Sequence, residues 1–378
     1  MVSNFSLQLN EAKRIWQHSR KVAREGYHQY QGDAVQICET IIQDCWNGTS
    51  FTVSSGHFRQ FYCRDIGWCA PSLIELGYKK ELKATLAYAL ERFATAGKVT
   101  VALTPDGKAF NFPNFASVDS LAYLLRSLRL TNADDLVEQY RRFLDSQIAA
   151  FFKKTIDSQT GLLRKDMHFS AMKDHALRKS STYDNVMLAV LAQEVKTLGL
   201  DNPFVWYDYP KMIKRAFWSG AYFYDDLQKL PVVTGDSNVI PFWTGIIDDD
   251  TMLRAAIASL QNEGLDRPFP LRYVAAPTKK LKMVAAEFFV PNWEQNSIWS
   301  MMGMMYVEVL EKIDRKKAVQ HLDMYKRVIE ENRNFLELYT RYGKPYNSWF
   351  YSADEGMLWA CMFLSLSRRF NALKFHRS

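Results

Sequence analysis

An adjacent arginine and aspartate, Arg64 and Asp65, stand among aromatic residues just before a long helical pattern. The guanidinium of Arg64 offers a planar fork of donors, and the carboxylate of Asp65 accepts hydrogen bonds. Sugar-binding pockets combine such groups with aromatic rings, because hydroxyls take hydrogen bonds and the apolar sugar face stacks on a ring. The flanking rings of Phe61 and Trp68 favour a sugar site, although an ordinary surface ion pair is the alternative.

Two acidic residues in predicted loops could carry acid–base chemistry. Asp174 lies in the loop before a helix predicted to begin at Tyr183, and Glu337 lies where a charged helix gives way to a loop. Each could instead be a solvated surface acid, Asp174 beside Lys173 and Glu337 at a helix end. These residues alone leave both interpretations open.

Other reaction classes find no support in the sequence. The seven histidines are scattered without an H-x-x-x-H pair, and no C-x-x-C pair, glycine-rich phosphate loop or G-x-S-x-G elbow occurs. We therefore expect no metal and no cofactor. The odd number of cysteines, without disulfide or zinc spacing, predicts reduced and mostly buried thiols. They are Cys38, Cys45, Cys63, Cys69 and Cys361.

Composition indicates a globular protein with an ample core, since 48% of the 378 residues are hydrophobic and 24% are charged. The aromatic content of 14% suits a carbohydrate pocket, although a large helical core also uses aromatic residues. The net charge of +7 comes from lysines and arginines spread along the chain, which argues against nucleic-acid binding. Because no apolar stretch reaches membrane length and no secretion-signal pattern is present, we expect a cytoplasmic protein without membrane contact. The sequence gives no oligomeric state.

Apolar periodicity predicts about twelve helices joined alternately by short and long loops. Residues 220–241 are predicted as short strands and loops, and the final helix is predicted to begin at Asp354. The clearest helix carries Leu82, Leu86, Leu90 and Phe93 at helical spacing. Parallel α/β architecture is excluded, because no buried apolar strands alternate with the helices. We predict an all-α fold: a single (α/α) six-hairpin toroid over residues 1–378, with its long loops at one mouth.

Several short segments occur in the order found in the helical-toroid glycoside hydrolases, which this chain resembles over roughly residues 60–365. That family includes glucoamylase, trehalase, the processing α-glucosidases and the glucosidase domain of glycogen debranching enzyme. The resembling segments are residues 61–65, 117–120, 171–174, 235–243, 291–299, 335–339 and 347–353. There are two departures. Lys173 precedes the aspartate in place of the expected residue, and Glu294-Gln295 replaces Arg-Gly.

The resemblance implies an inverting hydrolase that releases a terminal α-linked glucose, or a related sugar, from a small glycoside or oligosaccharide. Asp174 matches the general acid, with Asp166 as the next candidate, and Glu337 matches the general base, with Glu294 as the runner-up. Apolar neighbours would keep Asp174 protonated, whereas Lys173 would oppose this if it pointed inward. The implied substrate-binding residues are Phe61, Arg64, Asp65, Trp68, Asp119, Trp293, Glu294, Gln295, Trp299 and Trp349.

Two other functions are compatible with the sequence. Helical toroids also host sugar epimerases, which use paired histidines, and His168 and His175 flank Asp174. The departures from the family motifs also allow a non-catalytic carbohydrate-binding protein on a decayed glycosidase fold.

Overall fold

Helices dominate residues 4–112 and 116–372, the part of the chain that the computed structural model describes. They are α1 (Asn4–Glu25), α2 (Ala34–Asp44), α3 (Cys63–Glu75), α4 (Lys79–Ala96), α5 (Ser120–Leu130), α6 (Asp134–Gln139), α7 (Arg141–Thr155), α8 (Thr182–Thr197), α9 (Tyr209–Phe217), α10 (Gly235–Trp243), α11 (Asp250–Asn262), α12 (Ser300–Glu311), α13 (Arg315–Asn332) and α14 (Ala360–Ala372). The strands are short: β1 (Phe61–Tyr62), β2 (Ala102–Leu103), β3 (Ala109–Phe110), β4 (Ala116–Ser117), β5 (Phe169–Ser170), β6 (Ile298–Trp299) and β7 (Leu338–Tyr339).

Six helices form a closed inner ring in which each packs on the next. Their order is α3, α5, α8, α10, α12 and α14, and α14 packs back on α3. An outer layer surrounds them: α4 lies on α3 and α5, α9 on α8, α11 on α10, α13 on α12, and α2 on α14. The short helix α6 lies on α5, and α7 follows it. The chain therefore alternates between an outer and an inner helix, and the predicted toroid of helical hairpins is confirmed.

The two layers follow from the distribution of apolar residues. Residues 182–191 of α8 and residues 300–307 of α12 are all buried, as expected for helices that are enclosed on every side. The outer helix α4 instead buries one stripe, which contains the predicted Leu82, Leu86 and Leu90. Close packing within the ring depends on Gly67, because a Cβ atom there would collide with the ring of Tyr123 on α5.

All six inner helices begin at the same end of the ring, which we call the mouth. The residues immediately before them are Tyr62, Asp119, Ser181, Thr234, Trp299 and Trp359. Short strands join the loops at this end. Strand β4 pairs with β5 in parallel, and β6 pairs with β7 antiparallel, which places Trp299 opposite Leu338. Helix N-termini carry partial positive charge, so the mouth is a favourable environment for acidic groups.

Three inner helices differ from the predictions. Arg64 and Asp65 do not precede a helix but lie in the first turn of α3, where glycine and proline obscure the helical pattern. Residues 235–241, predicted as part of a strand and loop segment, form most of the buried helix α10, although its sequence contains Gly235 and Pro241. The last helix begins at Ala360, not near Asp354.

The cysteine prediction is confirmed, since all five cysteines are buried free thiols. Within residues 4–112 and 116–372, no helix is both long enough and apolar enough to cross a membrane.

Candidate active site

One cavity at the mouth, with a volume of about 100 Å³, collects most of the predicted site residues. Those that line it are Arg64, Asp65, Trp68, Asp174, Trp293, Glu294, Trp299 and Glu337. The rest of its wall consists of Val53, Phe58, Tyr62, Val101, Phe112, Met172, Met301, Met357 and Trp359. Four carboxyl groups and one guanidinium thus share a space whose remaining wall is almost entirely aromatic and aliphatic.

Arg64 is fixed by a buried aspartate behind it. Its Nε donates to Asp119 Oδ2 at 2.7 Å, and its Nη2 donates to Ser170 Oγ at 3.3 Å. Asp119 is fully buried and also accepts a hydrogen bond from the Tyr183 hydroxyl at 2.7 Å. Arg64 Nη1 has no protein partner among the described residues and remains available to a ligand. Asp119 therefore orients Arg64 and does not line the cavity itself.

Asp65 is held by a residue that the sequence analysis missed. Trp359 Nε1 donates to Asp65 Oδ1 at 3.0 Å, which joins the first turn of α3 to the start of α14. Trp359 was missed because the last helix was predicted to begin at Asp354, which put this residue inside the helix and not just before its start. The signal available in the sequence was the aromatic residue that precedes three of the inner helices: Tyr62, Trp299 and Trp359.

Asp174 lies in a turn that is fixed by Glu294. The two oxygens of Glu294 accept hydrogen bonds from the backbone N–H groups of Asp174 and His175, both at 2.6 Å, and from that of Ala176 at 3.2 Å. Asp174 Oδ1 in turn accepts from the backbone N–H of Ala171 at 3.0 Å. Because both oxygens of Glu294 are used in this way, the geometry suits Glu294 to positioning Asp174 better than to acting as a base.

Lys173 points away from the cavity and is fully buried. Its Nζ lies 2.7 Å from Asp225 Oδ1 and 3.0 Å from Asp236 Oδ1. Arg178 lies beside the same aspartate, with its Nη1 3.5 Å from Asp236 Oδ2. These charges compensate one another beneath the turn, so Lys173 anchors the backbone next to Asp174. The unexpected residue before the predicted acid thus has a structural explanation.

Glu337 is held on one side only. Its Oε2 accepts hydrogen bonds from the Tyr351 hydroxyl and from the backbone N–H of Asp354, the latter at 3.0 Å. No hydrogen bond reaches its Oε1 from residues 4–112 or 116–372. Pairing of β6 with β7 places the residue beside Trp299, since Ser300 N donates to Glu337 O at 3.1 Å. Glu337 therefore offers one free carboxylate oxygen in a fixed position.

Burial dominates the electrostatics of these acids. It raises the pKa of Asp65 to about 7 and that of Glu337 to about 7, and it also raises the pKa of Asp174. The positive charge of Arg64 opposes the shift at Asp65 and Asp174. Carboxyl groups with pKa values raised in this way can exchange protons near neutral pH.

Aromatic rings form one continuous wall. The rings of Trp293 and Trp299 are 5.1 Å apart, and those of Trp293 and Tyr351 are 5.5 Å apart. Trp299 Nε1 donates to the backbone oxygen of Trp293 at 2.9 Å, which fixes the orientation of the Trp299 side chain. Trp293 Nε1 is buried without a hydrogen-bond partner among the described residues. A ligand oxygen would satisfy this donor.

Four predicted residues do not line the cavity. Phe61 packs in the core with Phe93, Asp119 lies behind Arg64, and Gln295 accepts a hydrogen bond from the backbone of the neighbouring loop at Thr278. Trp349 is 62% exposed and packs against Phe289 at the surface. The alternative acid Asp166 also lies outside, exposed and paired with Arg164 at 2.7 Å.

The two histidines that suggested an epimerase have other contacts. His168 Nε2 is 2.9 Å from the backbone oxygen of Asp174, and His175 Nδ1 is 3.0 Å from Glu287 Oε2. Among the described residues, no histidine lines the cavity. The paired-histidine arrangement that an epimerase would use is therefore not formed there.

No family model and no curated protein sequence matches the chain. Solved structures match its fold. A mannosylglycerate hydrolase of glycoside hydrolase family 63 from Thermus thermophilus, in complex with Tris and D-glycerate, has a TM-score of 0.60 at 11% identity and covers 89% of this chain and 100% of its own. A rhamnosidase from Klebsiella oxytoca with rhamnose bound has a TM-score of 0.61 at 10% identity, over 91% of this chain and 65% of its own. A glycosidase variant in complex with glucose has a TM-score of 0.61 at 13% identity, over 95% of this chain and 97% of its own.

The fold is that of the helical-toroid glycoside hydrolases. Because the sequence identities are only 10 to 13%, these matches establish the toroid fold and do not establish a substrate. Because one fold can carry different chemistries, the reaction of this chain depends on the residues of its own cavity.

Proposed function

We propose that this protein is an inverting glycoside hydrolase that removes one terminal sugar, an α-linked glucose or a close relative, from a small glycoside. The observation that carries the proposal is the shared cavity, because Asp174 and Glu337 come from different loops and line one small space walled by tryptophans. Pockets for drug-sized ligands usually measure about 300–1,000 Å³. The smaller volume here favours a single sugar ring over an extended chain.

Glu337 is suited to the role of general base. Its Oε2 is held by Tyr351 and the backbone of Asp354, and its free Oε1 can accept a proton. In an inverting reaction, a water molecule gives that proton to the base while its oxygen forms a bond to the anomeric carbon. The fixed carboxylate keeps this water on one face of the sugar ring.

Asp174 is suited to the role of general acid. Burial raises its pKa and so favours the protonated form from which an acid acts. Its proton passes to the glycosidic oxygen as the bond between that oxygen and the anomeric carbon breaks. Glu294 supports the role by fixing the backbone of the turn, and Lys173 does so from beneath.

Arg64 and the tryptophans would hold the sugar between the two acids. Arg64 Nη1 and Trp293 Nε1 are donors without protein partners among the described residues, and hydroxyl oxygens of a sugar would accept from both. The rings of Trp293 and Trp299 provide a surface on which the apolar face of a sugar can stack. Asp65, held by Trp359, adds an acceptor for another hydroxyl.

Release of sugar from a panel of glycosides tests this proposal. The solved structures of this fold hold D-glycerate, rhamnose or glucose, so the panel should contain α-glucosides, α-rhamnosides and mannosylglycerate. We expect the wild type to release one monosaccharide from at least one of these, and Glu337→Gln to release none. Glu331→Gln, an exposed glutamate on α13, is the matched control and should retain activity. Sugar binding without release would indicate a non-catalytic protein, and interconversion of free sugars would indicate an epimerase.

A further inference from the structure

Three side chains from distant parts of the chain meet behind Glu337. They are His18 on α1, His57 in the loop before β1, and Asp354 in the loop before α14. His57 Nδ1 lies 3.1 Å from Asp354 Oδ1, and His18 Nε2 lies 3.7 Å from the same oxygen. One nitrogen from each ring and one carboxylate oxygen lie within 4.8 Å of one another. Because these residues are far apart in sequence, the spacing of the histidines along the chain does not reveal them.

The histidine nitrogens in this cluster are buried and unsatisfied. Within the described residues, His18 Nε2 and both ring nitrogens of His57 are buried and have no hydrogen-bond partner. His57 Nδ1 is close to Asp354 Oδ1, but the two atoms do not have the alignment of a hydrogen bond. An unsatisfied buried polar atom destabilises the folded state, because it has lost its hydrogen bonds to water without replacing them. A ligand that accepts electron pairs from two of these nitrogens would remove much of this cost.

Asp354 is already held as an oriented anion. Its Oδ1 accepts from the backbone N–H of His57 at 2.7 Å, and its Oδ2 accepts from Ser54 Oγ at 2.5 Å and from the backbone N–H of Phe58 at 3.1 Å. Hydrogen bonds to the oxygens of a ligating carboxylate are a regular feature of metal sites, because they fix the direction of the carboxylate.

We propose that His18, His57 and Asp354 form a zinc site that fastens α1 to the loops at the mouth. Two imidazole nitrogens and one carboxylate oxygen form a ligand set that suits Zn²⁺. Bonds of about 2.0–2.1 Å at tetrahedral angles place neighbouring ligand atoms roughly 3.3 Å apart. The distances from Asp354 Oδ1 to His57 Nδ1, 3.1 Å, and to His18 Nε2, 3.7 Å, are close to this value. A water molecule would take the fourth position of a tetrahedral ion.

The position of the site gives the ion a structural role. Helix α1 also meets the mouth through Ser19 Oγ, which accepts from the backbone N–H of Ser352 at 2.7 Å. Asp354, the third ligand, donates its backbone N–H to Glu337 Oε2 at 3.0 Å. A zinc ion here would join the first helix to the loop that supports Glu337. The inference does not depend on hydrolysis of a glycoside and goes beyond the proposed function.

Metal titration of the full chain tests the zinc site. After treatment with a chelator, we expect the wild type to bind one Zn²⁺ per chain, to gain thermal stability from it, and to give the visible absorption of tetrahedral Co²⁺ with that ion. His18→Asn and His57→Asn should weaken zinc binding by about 100-fold or more, since even the hydrogen-bonding partners of ligands account for 10- to 100-fold.

His321→Asn is the matched control. His321 is another buried histidine beside an aspartate, with Nε2 3.5 Å from Asp266 Oδ2, but no third ligand joins it in the described chain. Its replacement should leave zinc affinity unchanged. Because His57 is fully buried and its variant could misfold, His18→Asn decides the test, with circular dichroism to verify folding. The proposal is overturned if the wild type binds no zinc, if His18→Asn binds it with wild-type affinity, or if His321→Asn loses it equally.

Discussion

The carboxylate of Glu294 accepts a hydrogen bond of 2.6 Å from the backbone N–H of Asp174. A second oxygen of the same carboxylate accepts from the next N–H, that of His175, at 2.6 Å. A buried glutamate thus clamps the turn that presents the proposed acid. The resemblance to toroid glycosidases implied substrate binding or base catalysis for Glu294. In the structure, both of its carboxylate oxygens instead hold the backbone next to Asp174.

Replacing Glu294 by glutamine should reduce activity through Asp174. The amide NH₂ group would face a backbone donor in place of an oxygen, so the turn would lose one of its two anchoring acceptors. We expect kcat on natural glycosides to fall by roughly 10²-fold, as for a small displacement of a catalytic group. Substrates with an activated leaving group need no acid and should lose much less. Equal losses on both substrate classes would indicate that Glu294 is the base.

Removing the acid and removing the base should affect activity on natural and activated glycosides differently. Asp174→Asn should lose about 10²- to 10⁴-fold on natural glycosides and recover in part on activated ones. Glu337→Gln should be inactive on both, because no water is activated whatever the leaving group. Asp166→Asn is the control for the acid, since Asp166 is exposed on the same loop. A variant at Asp174 with equal losses on the two substrate classes would assign the acid to another residue.

Arg64→Lys should lose the geometry of the guanidinium while keeping its charge. Arg64 carries its donors on three separate nitrogens, whereas the three N–H donors of lysine share one nitrogen that cannot reach Asp119, Ser170 and a sugar at once. We expect kcat/KM to fall by roughly 10²-fold, measured on the best substrate of the panel. Lys108→Arg, an exposed exchange of the same kind, should have no effect. Unchanged kcat/KM in Arg64→Lys would make the arginine a purely structural residue.

Asp65 should make the stability of the protein depend on pH. Its pKa is about 7 in the folded protein against an ordinary value of 3.8, so the folded state binds this proton more tightly than the unfolded state. The contribution of Asp65 to the free energy of unfolding should therefore fall as pH rises from about 4 to about 7, by about 1.4 kcal/mol per pH unit.

Asp65→Asn isolates this contribution in urea unfolding at pH 5 and pH 8. The variant should gain stability relative to the wild type as the pH rises, since it has no carboxyl group to ionise in the buried site. Asp166→Asn, at an exposed position, should keep the wild-type pH dependence. A constant difference between Asp65→Asn and the wild type across this range would contradict the raised pKa.

The sequence predicted the ring of helices because local apolar periodicity determines most of it. The stripe of Leu82, Leu86 and Leu90 was sufficient for α4. The buried helix α10 was not predicted because Gly235 and Pro241 have low helix propensity, and tertiary packing overrides that preference. Helix α3, which also contains a glycine and a proline, was not predicted for the same reason.

The site was predicted less completely, because its contacts join distant segments. The aspartates that compensate Lys173 lie in other loops, so the lysine appeared to oppose protonation of Asp174. The motif-based choice of Trp349 led to an exposed ring, whereas Trp359 lines the cavity. Motif resemblance locates a segment, but the packing around the segment decides which of its side chains enters the site.

Product stereochemistry tests the central claim most directly. If Glu337 activates water on the face of the sugar opposite to the bond that Asp174 protonates, the first product must have inverted anomeric configuration. Proton NMR of an α-glycoside reaction, recorded before the sugar mutarotates, should therefore show the β-anomer first. Initial formation of the α-anomer would mean retention of configuration and would contradict the assignment of Asp174 and Glu337 as acid and base.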